Sequence, residues 1–213
     1  MLPFTPEQFI AVFTRYNASI WPAQVAAYLL GSLVVLLLFR RSLWSDRIIA
    51  AVLALMWAWT GVAYQLMFFA TINRAAYAFF VVFVMQAAAL AYAGTSRRID
   101  FGIPGSVATW VGASFAIYAS VAYPLIGMAA GHRPSELPMF GVTPCPVTIF
   151  TFGILLLTVG RPPIVLLVIP TIWSIIGGSA AFLLQVPQDW PLLFSSAVAV
   201  PMILARQRKA ATN

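Results

Sequence analysis

Charge is what this chain has least of. Only 8% of its 213 residues are charged and 62% are hydrophobic, whereas soluble domains carry about 25% charged residues. So few charges do not cover the surface of a soluble fold of this size, and the composition points to an integral membrane protein. Carboxylates are scarcest of all: Glu7, Asp46, Asp100, Glu136 and Asp189 are the whole set, and each is assigned to a loop or the end of a span. A charged group at the bilayer centre costs at least about 2.5–3.5 kcal/mol and is normally kept for function. Without one, a proton relay, a sodium–carboxylate site and an intramembrane aspartyl protease are disfavoured. The one histidine, His132, does not supply bis-histidine haem ligation or a histidine-rich metal site. The one cysteine, Cys145, allows no internal disulfide, and no glycine-rich phosphate loop is present. The expectation is therefore a protein that is not an enzyme, has no catalytic residues and carries no cofactor. A net charge of +7 does not indicate nucleic acid, because the arginines are scattered between apolar runs and form no patch.

What the chain does have is apolar segments. Seven candidate spans run roughly Ile20–Phe39, Ile48–Phe69, Ala75–Gly94, Val107–Met128, Pro144–Gly160, Pro163–Leu184 and Pro191–Ala205. The fifth and seventh are short against the usual need for about 20 residues; tilt and local thinning absorb such a mismatch. With the amino terminus outside, nine basic residues (Arg40, Arg41, Arg47, Arg97, Arg98, Arg161, Arg206, Arg208 and Lys209) fall on the cytoplasmic side and three (Arg15, Arg74 and Arg133) outside. If the last segment did not cross, the split would be even. The expected fold is thus all-α, with seven transmembrane helices, amino terminus out and carboxyl terminus in, in a bacterial inner membrane. Before the first span no basic n-region precedes an apolar core, so no cleavable signal is expected. Instead "TPEQFIAVFTRYN" reads as an amphipathic helix in the membrane interface, capped by Thr5 and Gln8 with Pro6 in its first turn. Phe9, Val12, Phe13 and Tyr16 share its apolar face; a plug or partner-binding helix is the competing reading.

Spans one and five align without gaps, with Pro22 on Pro144, Gly31 on Gly153 and Leu33 on Leu155. Spans two and six align through a shared Trp-x-x-x-Gly, with Trp57 on Trp173 and Gly61 on Gly177. The third pair is weak, and apolar helices of limited alphabet also match by chance. Taken as a repeat, the pattern is three spans, one linker span and three spans, which gives two halves in parallel orientation. The single membrane domain, 1–213, would then divide into an interfacial helix (1–19), a first three-helix unit (20–94), a linker helix (107–128), a second three-helix unit (144–205) and a basic cytoplasmic tail (206–213). This organisation resembles the sugar facilitators called SWEETs, their PQ-loop relatives and, more distantly, the seven-helix rhodopsins. The paired asparagines of the first group are missing, since Asn17, Asn73 and Asn213 are the only ones and none is mid-membrane. A retinal-binding role is excluded by the position of the only lysine, Lys209, in the tail. In wording, "LPFTPEQFIAVFTRYNASIWPAQ" and "GVTPCPVTIFTFGILLL" are similar to a bacterial multi-pass membrane family known only as a domain of unknown function. The resemblance covers the whole chain and implies the membrane class without an activity.

The residues around Cys145 read first as a helix start: Thr143 as cap, then Pro144 and Pro146 where backbone donors have no partner. Cys145 either packs as a small apolar residue or, with His132 and Met139, forms a soft-metal site at the outer face. Among polar and aromatic groups within the spans, Trp57, Tyr64, Gln86 and Trp173 are the candidates for lining a central pocket, with Trp57 and Trp173 facing each other across the axis; helix–helix packing is the competing reading. Mid-helix Pro124, Pro170 and Pro201 would kink their spans, as hinges or as packing features. The leading functional expectation is a passive facilitator of a small neutral solute. A non-transporting sensor or scaffold subunit, and soft-metal or thiol handling at Cys145, are the alternatives. The expected partners are the lipid bilayer and that solute, with no nucleic acid, and homo-oligomers are left open.

Overall fold

The capping box written in "TPEQ" forms as expected. Thr5 accepts from the Gln8 N–H and Gln8 reaches back to the Thr5 N–H, opening α1 (Pro6–Ser19). The structure, a computed structural model, describes residues 3–184 and 186–209. A cis Trp21–Pro22 bond precedes α2 (Ala23–Leu38), and α1 and α2 meet at 83°. Ser42 caps α3 (Leu43–Thr71), which therefore starts five residues before the expected Ile48. Then follow α4 (Ala76–Thr95), α5 (Val107–Ala129), α6 (Pro144–Leu156), α7 (Val165–Leu184) and α8 (Trp190–Lys209). Among the described residues the only strand-like pairing is the isolated bridge Phe101–Thr158, so the chain is all-α.

Length separates these helices into classes. Five of them (α3, α4, α5, α7 and the last, taken from Pro187 to Arg208) are long and apolar enough to cross a membrane, and the bent α1–α2 pair would make a sixth. The fifth expected span falls short. α6 ends at Leu156 rather than Gly160, about 20 Å of helix at 1.5 Å per residue. Beyond it the backbone pairs sideways with the 100–102 segment, through Gly102 N–H to Leu157 O at 3.0 Å and Val159 N–H to Asp100 O at 2.9 Å. The last helix shows the opposite error: it runs on to Lys209 instead of stopping at Ala205. Arg206 therefore belongs to the helix and not to a tail; residues 210–213 of the expected tail lie outside the described residues.

Short as it is, α6 occupies the axis. Every residue from Pro144 to Leu156 is buried except the half-buried Cys145, and the helix is surrounded by α5, α7, α8 and α3. Its approach to α5 is backbone on backbone: a Cβ on Gly153 would lie 2.7 Å from the Gly112 carbonyl oxygen, and one on Gly112 would lie 2.7 Å from the Gly153 oxygen. Small residues at helix contacts allow that closeness. Its sequence counterpart α2 packs chiefly on α3 at the periphery and leaves Leu29 and Leu36 exposed. The first members of the two aligned triplets thus hold unlike places. The second members agree better: Gly61 seats α4 against α3 and Gly177 seats α8 against α7.

Thr143 stands at the cap position of α6, but its hydroxyl does not cap. It turns back to donate to Met139 O at 2.7 Å. A capping hydroxyl normally meets the N–H of the second or third helical residue, and the third here is Pro146, which has none.

Candidate functional site

The helix ends gather into two poles. At one, Phe101 N–H donates to Asp46 Oδ1 at 2.8 Å. Arg206 donates to Thr158 O at 3.0 Å, Thr158 Oγ1 at 3.1 Å, and Leu155 O and Leu156 O at 3.4 Å each. The guanidinium thus satisfies the carbonyls that the end of α6 leaves open.

At the other pole α1 lies across the helix ends. Tyr16 donates to Val142 O at 2.6 Å and accepts from Trp59 Nε1 at 3.0 Å. Asn17 Nδ2 reaches Leu137 O and Ser135 O at 2.8 and 2.9 Å. The apolar face predicted for α1 is turned inward, with Val12, Phe13 and Tyr16 buried and Phe9 packed beside them. Beneath it is a cavity of about 440 Å³ whose wall includes Phe13, Tyr64, Phe79, Cys145, Trp173 and Asp189.

Two departures from α-helical winding shape this region: one supplies residues of the wall, and the other holds the turn that carries Asp189. α3 winds as a π-helix over Thr60–Phe68, and the Phe69 N–H bonds to Tyr64 O, five residues back. α5 does the same over Tyr118–Ala122, with Tyr123 N–H on Tyr118 O. A π turn brings residues five apart onto one face, and such turns are frequent at functional sites. In α3 the result is Tyr64 stacked on Phe69 at 5.7 Å, with Phe13 stacked against Tyr64 at 5.3 Å. In α5 it is Tyr118 and Tyr123, edge to face at 6.2 Å. Both tyrosines act on the turn Pro187–Asp189 that precedes α8. Tyr118 donates to Gln188 O at 2.9 Å, and the Tyr123 hydroxyl donates to Asp189 Oδ1.

Asp189 is thereby only 5% exposed. It does stand at the end of a span, as its position in the sequence indicated, but it is packed inward. The Cys145 thiol lies beside its carboxyl. Trp173, on the same wall, buries its indole N–H with no nitrogen or oxygen acceptor.

Of the four pocket candidates read from sequence, Tyr64 and Trp173 come together at this cavity and Trp57 and Gln86 do not. Trp57 and Gln86 are fully buried. The Trp57 indole donates to Thr151 Oγ1 at 2.9 Å and the Gln86 amide to Leu166 O at 3.0 Å. Trp57 and Trp173 do not face each other across a hollow axis; both press on the ring of Phe83, at 4.6 and 4.9 Å, because α6 fills the middle. The three soft-metal candidates line three different hollows: Cys145 the large cavity, His132 a small cleft beside α1 with Glu136 and Gln188, and Met139 a hollow with Asn17 and Trp21. Among the described residues no three His, Cys, Asp or Glu side chains gather to hold a metal.

Asp189, Tyr118 and Tyr123 are the residues that sequence reasoning passed over as a site. The available signal was a pair of aromatic residues five apart in each of two apolar spans, a spacing that the 3.6-residue period hides.

No curated protein and no solved structure matches this chain. The model of a family of unknown function, DUF6064, matches residues 6–213, and the chain belongs to that family.

Proposed function

We propose that this protein is an integral membrane protein that holds a small, largely apolar ligand in the cavity under α1, as a binding or sensing component rather than a passage. The observation that carries the reading is the cavity itself: about 440 Å³, within the range of small-molecule sites, mostly apolar, with one buried carboxyl on its wall. The passive facilitator expected from sequence would need a route past α6, and the filled axis favours binding over passage. The likeness to sugar facilitators rests on the expected span count, orientation and repeat pattern alone, and their substrate chemistry does not enter.

In this reading α2 to α8 are all embedded and α1 lies in the interface. α6 need not match the bilayer thickness, because protein rather than lipid surrounds it and its terminal carbonyls are met by Arg206. The basic segments around Arg41, Arg47 and Arg206 share the pole opposite the cavity, so the positive-inside bias turns that pole to the cytoplasm and the cavity outward.

Two measurements test it. In nanodiscs, neopentylbenzene should raise the melting temperature of the wild type saturably, and Ala180→Trp, which fills the cavity from α7, should remove the saturable part; equal shifts in both proteins would refute the binding site. Proteoliposomes should pass sugars and nucleosides no faster than protein-free vesicles, and protein-dependent flux would restore the facilitator. Orientation is read separately: in a Cys145→Ser background, Arg208→Cys should react with an impermeant maleimide only after the cell is opened.

A further inference from the structure

The other four carboxylates have ordinary surroundings. Glu7 is on the exposed face of α1, Glu136 accepts from the Arg133 N–H, Asp46 accepts from Phe101, and Asp100 lies beside Gly160 at the far pole. Asp189 alone is buried on a cavity wall. Among the described residues its donors are both neutral, the Tyr123 hydroxyl and the Cys145 thiol, and no Arg, Lys or His is among the residues that line the cavity. A buried carboxylate without a cationic partner is costly, and such charges in proteins are normally paired.

The rest of the wall suits the missing partner. Seven of the twenty lining residues are aromatic, and ring faces attract organic cations, most strongly where water is excluded. Phe79 and Trp173, edge to face at 5.2 Å, stand on the same wall as the carboxyl. The lining also includes Ile175 and Leu183, which are 55% and 68% exposed on the outer flank of α7. The cavity therefore opens sideways onto an apolar surface, a mouth suited to a molecule that arrives through lipid rather than through water.

We infer that the ligand is a hydrophobic organic ammonium ion, its cationic head against Asp189 and its apolar body among the aromatic rings. The inference rests on the binding reading above and adds the charge of the ligand. Its test compares benzyltrimethylammonium with its uncharged carbon isostere neopentylbenzene, each as an apparent Kd from the melting temperature of the full chain in nanodiscs, with Ala180→Trp as the blank. The cation should bind about tenfold tighter or more than the isostere. Asp189→Asn, which keeps the shape and an acceptor for Tyr123, should erase that preference and leave the isostere within about threefold of its wild-type affinity. Equal affinity of the two probes for the wild type, or a preference that survives in Asp189→Asn, overturns the inference while leaving the cavity reading intact. Binding of neither probe overturns both. If Asp189→Asn does not fold, the wild-type comparison decides by itself.

Discussion

The two poles of this bundle are built from similar parts and finished differently. At the basic pole the end of α6 meets a guanidinium that donates four hydrogen bonds to its last turn and to Thr158. At the α1 pole a carboxyl, a thiol and an indole N–H surround a space of about 440 Å³, and the indole has no nitrogen or oxygen partner. One pole spends its polar groups on holding helices together; the other keeps them beside a hollow. Burying an unpaired polar group costs about 1–3 kcal/mol, and both poles hold such groups, Arg47 Nε and Arg206 Nε at one and the Trp173 indole at the other; what sets the α1 pole apart is the space its polar groups surround.

The comparison breaks most easily at the basic pole. Arg206→Ala should cost about 2–4 kcal/mol, since it strips charged donors from carbonyls that α6 leaves open. Unfolding in a mild detergent, followed by circular dichroism, measures it. Arg206→Lys should recover only part of the loss, because an ammonium lacks the planar fork that reaches several carbonyls at once. A loss below about 0.5 kcal/mol, the usual scale of a surface change, would mean that the pole is not held as described.

Next in size is Gly153→Ala, which drives a methyl into the Gly112 carbonyl at a backbone contact with no flexible side chain to yield. Overpacking of this kind costs about 1–3 kcal/mol. At the α1 pole, Tyr123→Phe should cost about 1–2 kcal/mol by removing the donor to Asp189. It should also shift affinity for benzyltrimethylammonium, which Gly153→Ala should not do. That difference in readout separates the pole that binds from the contact that only packs.

How much of this contrast could be read beforehand depends on which physical signal writes it. α1 was legible because a capping box and a 3.6-residue apolar stripe are local and redundant. The apolar helices and their order were legible because apolar runs are long, but their ends were not, and five of them, or six with the bent pair, are long and apolar enough to cross where seven spans were expected. α6 and α8 erred in opposite directions because Arg206 and the 100–102 segment, far away in sequence, set them. Hydrophobicity alone does not say which apolar helix is enclosed, so the central place of α6 and the edge place of α2 could not be told from two runs that align. The same blindness moved the expected pocket to Trp57 and Gln86 at mid-bundle. Asp189 was legible as a span-end carboxylate and illegible as a buried one, because its burial depends on Tyr118 and Tyr123 meeting through a π turn. Tyr64 and Trp173, named from sequence as pocket candidates, do lie on the lining of the cavity.

Gln65 sharpens the contrast from inside. It follows Tyr64 in the π stretch of α3, is fully buried, and has no partner for either amide atom. Replacing an unsatisfied amide by an apolar side chain of similar length removes a desolvation penalty. Gln65→Met should therefore be neutral to stabilising, by up to about 1 kcal/mol, and a loss of more than about 1 kcal/mol would show that the amide is satisfied in the native protein.

The smallest expected effect carries the most weight. Ala180 is half-buried on α7 and faces the cavity. A tryptophan there should enter existing space instead of displacing packed atoms, so the stability of Ala180→Trp without ligand should stay within about 0.5 kcal/mol of wild type. The same bulk at a filled position such as Gly153 would be ruinous, because protein interiors close-pack and tolerate little added volume. A destabilisation by Ala180→Trp of more than about 2 kcal/mol would mean that the hollow is closed in the native protein. The α1 pole would then be as finished as the basic one, and the comparison between them would lose its functional meaning.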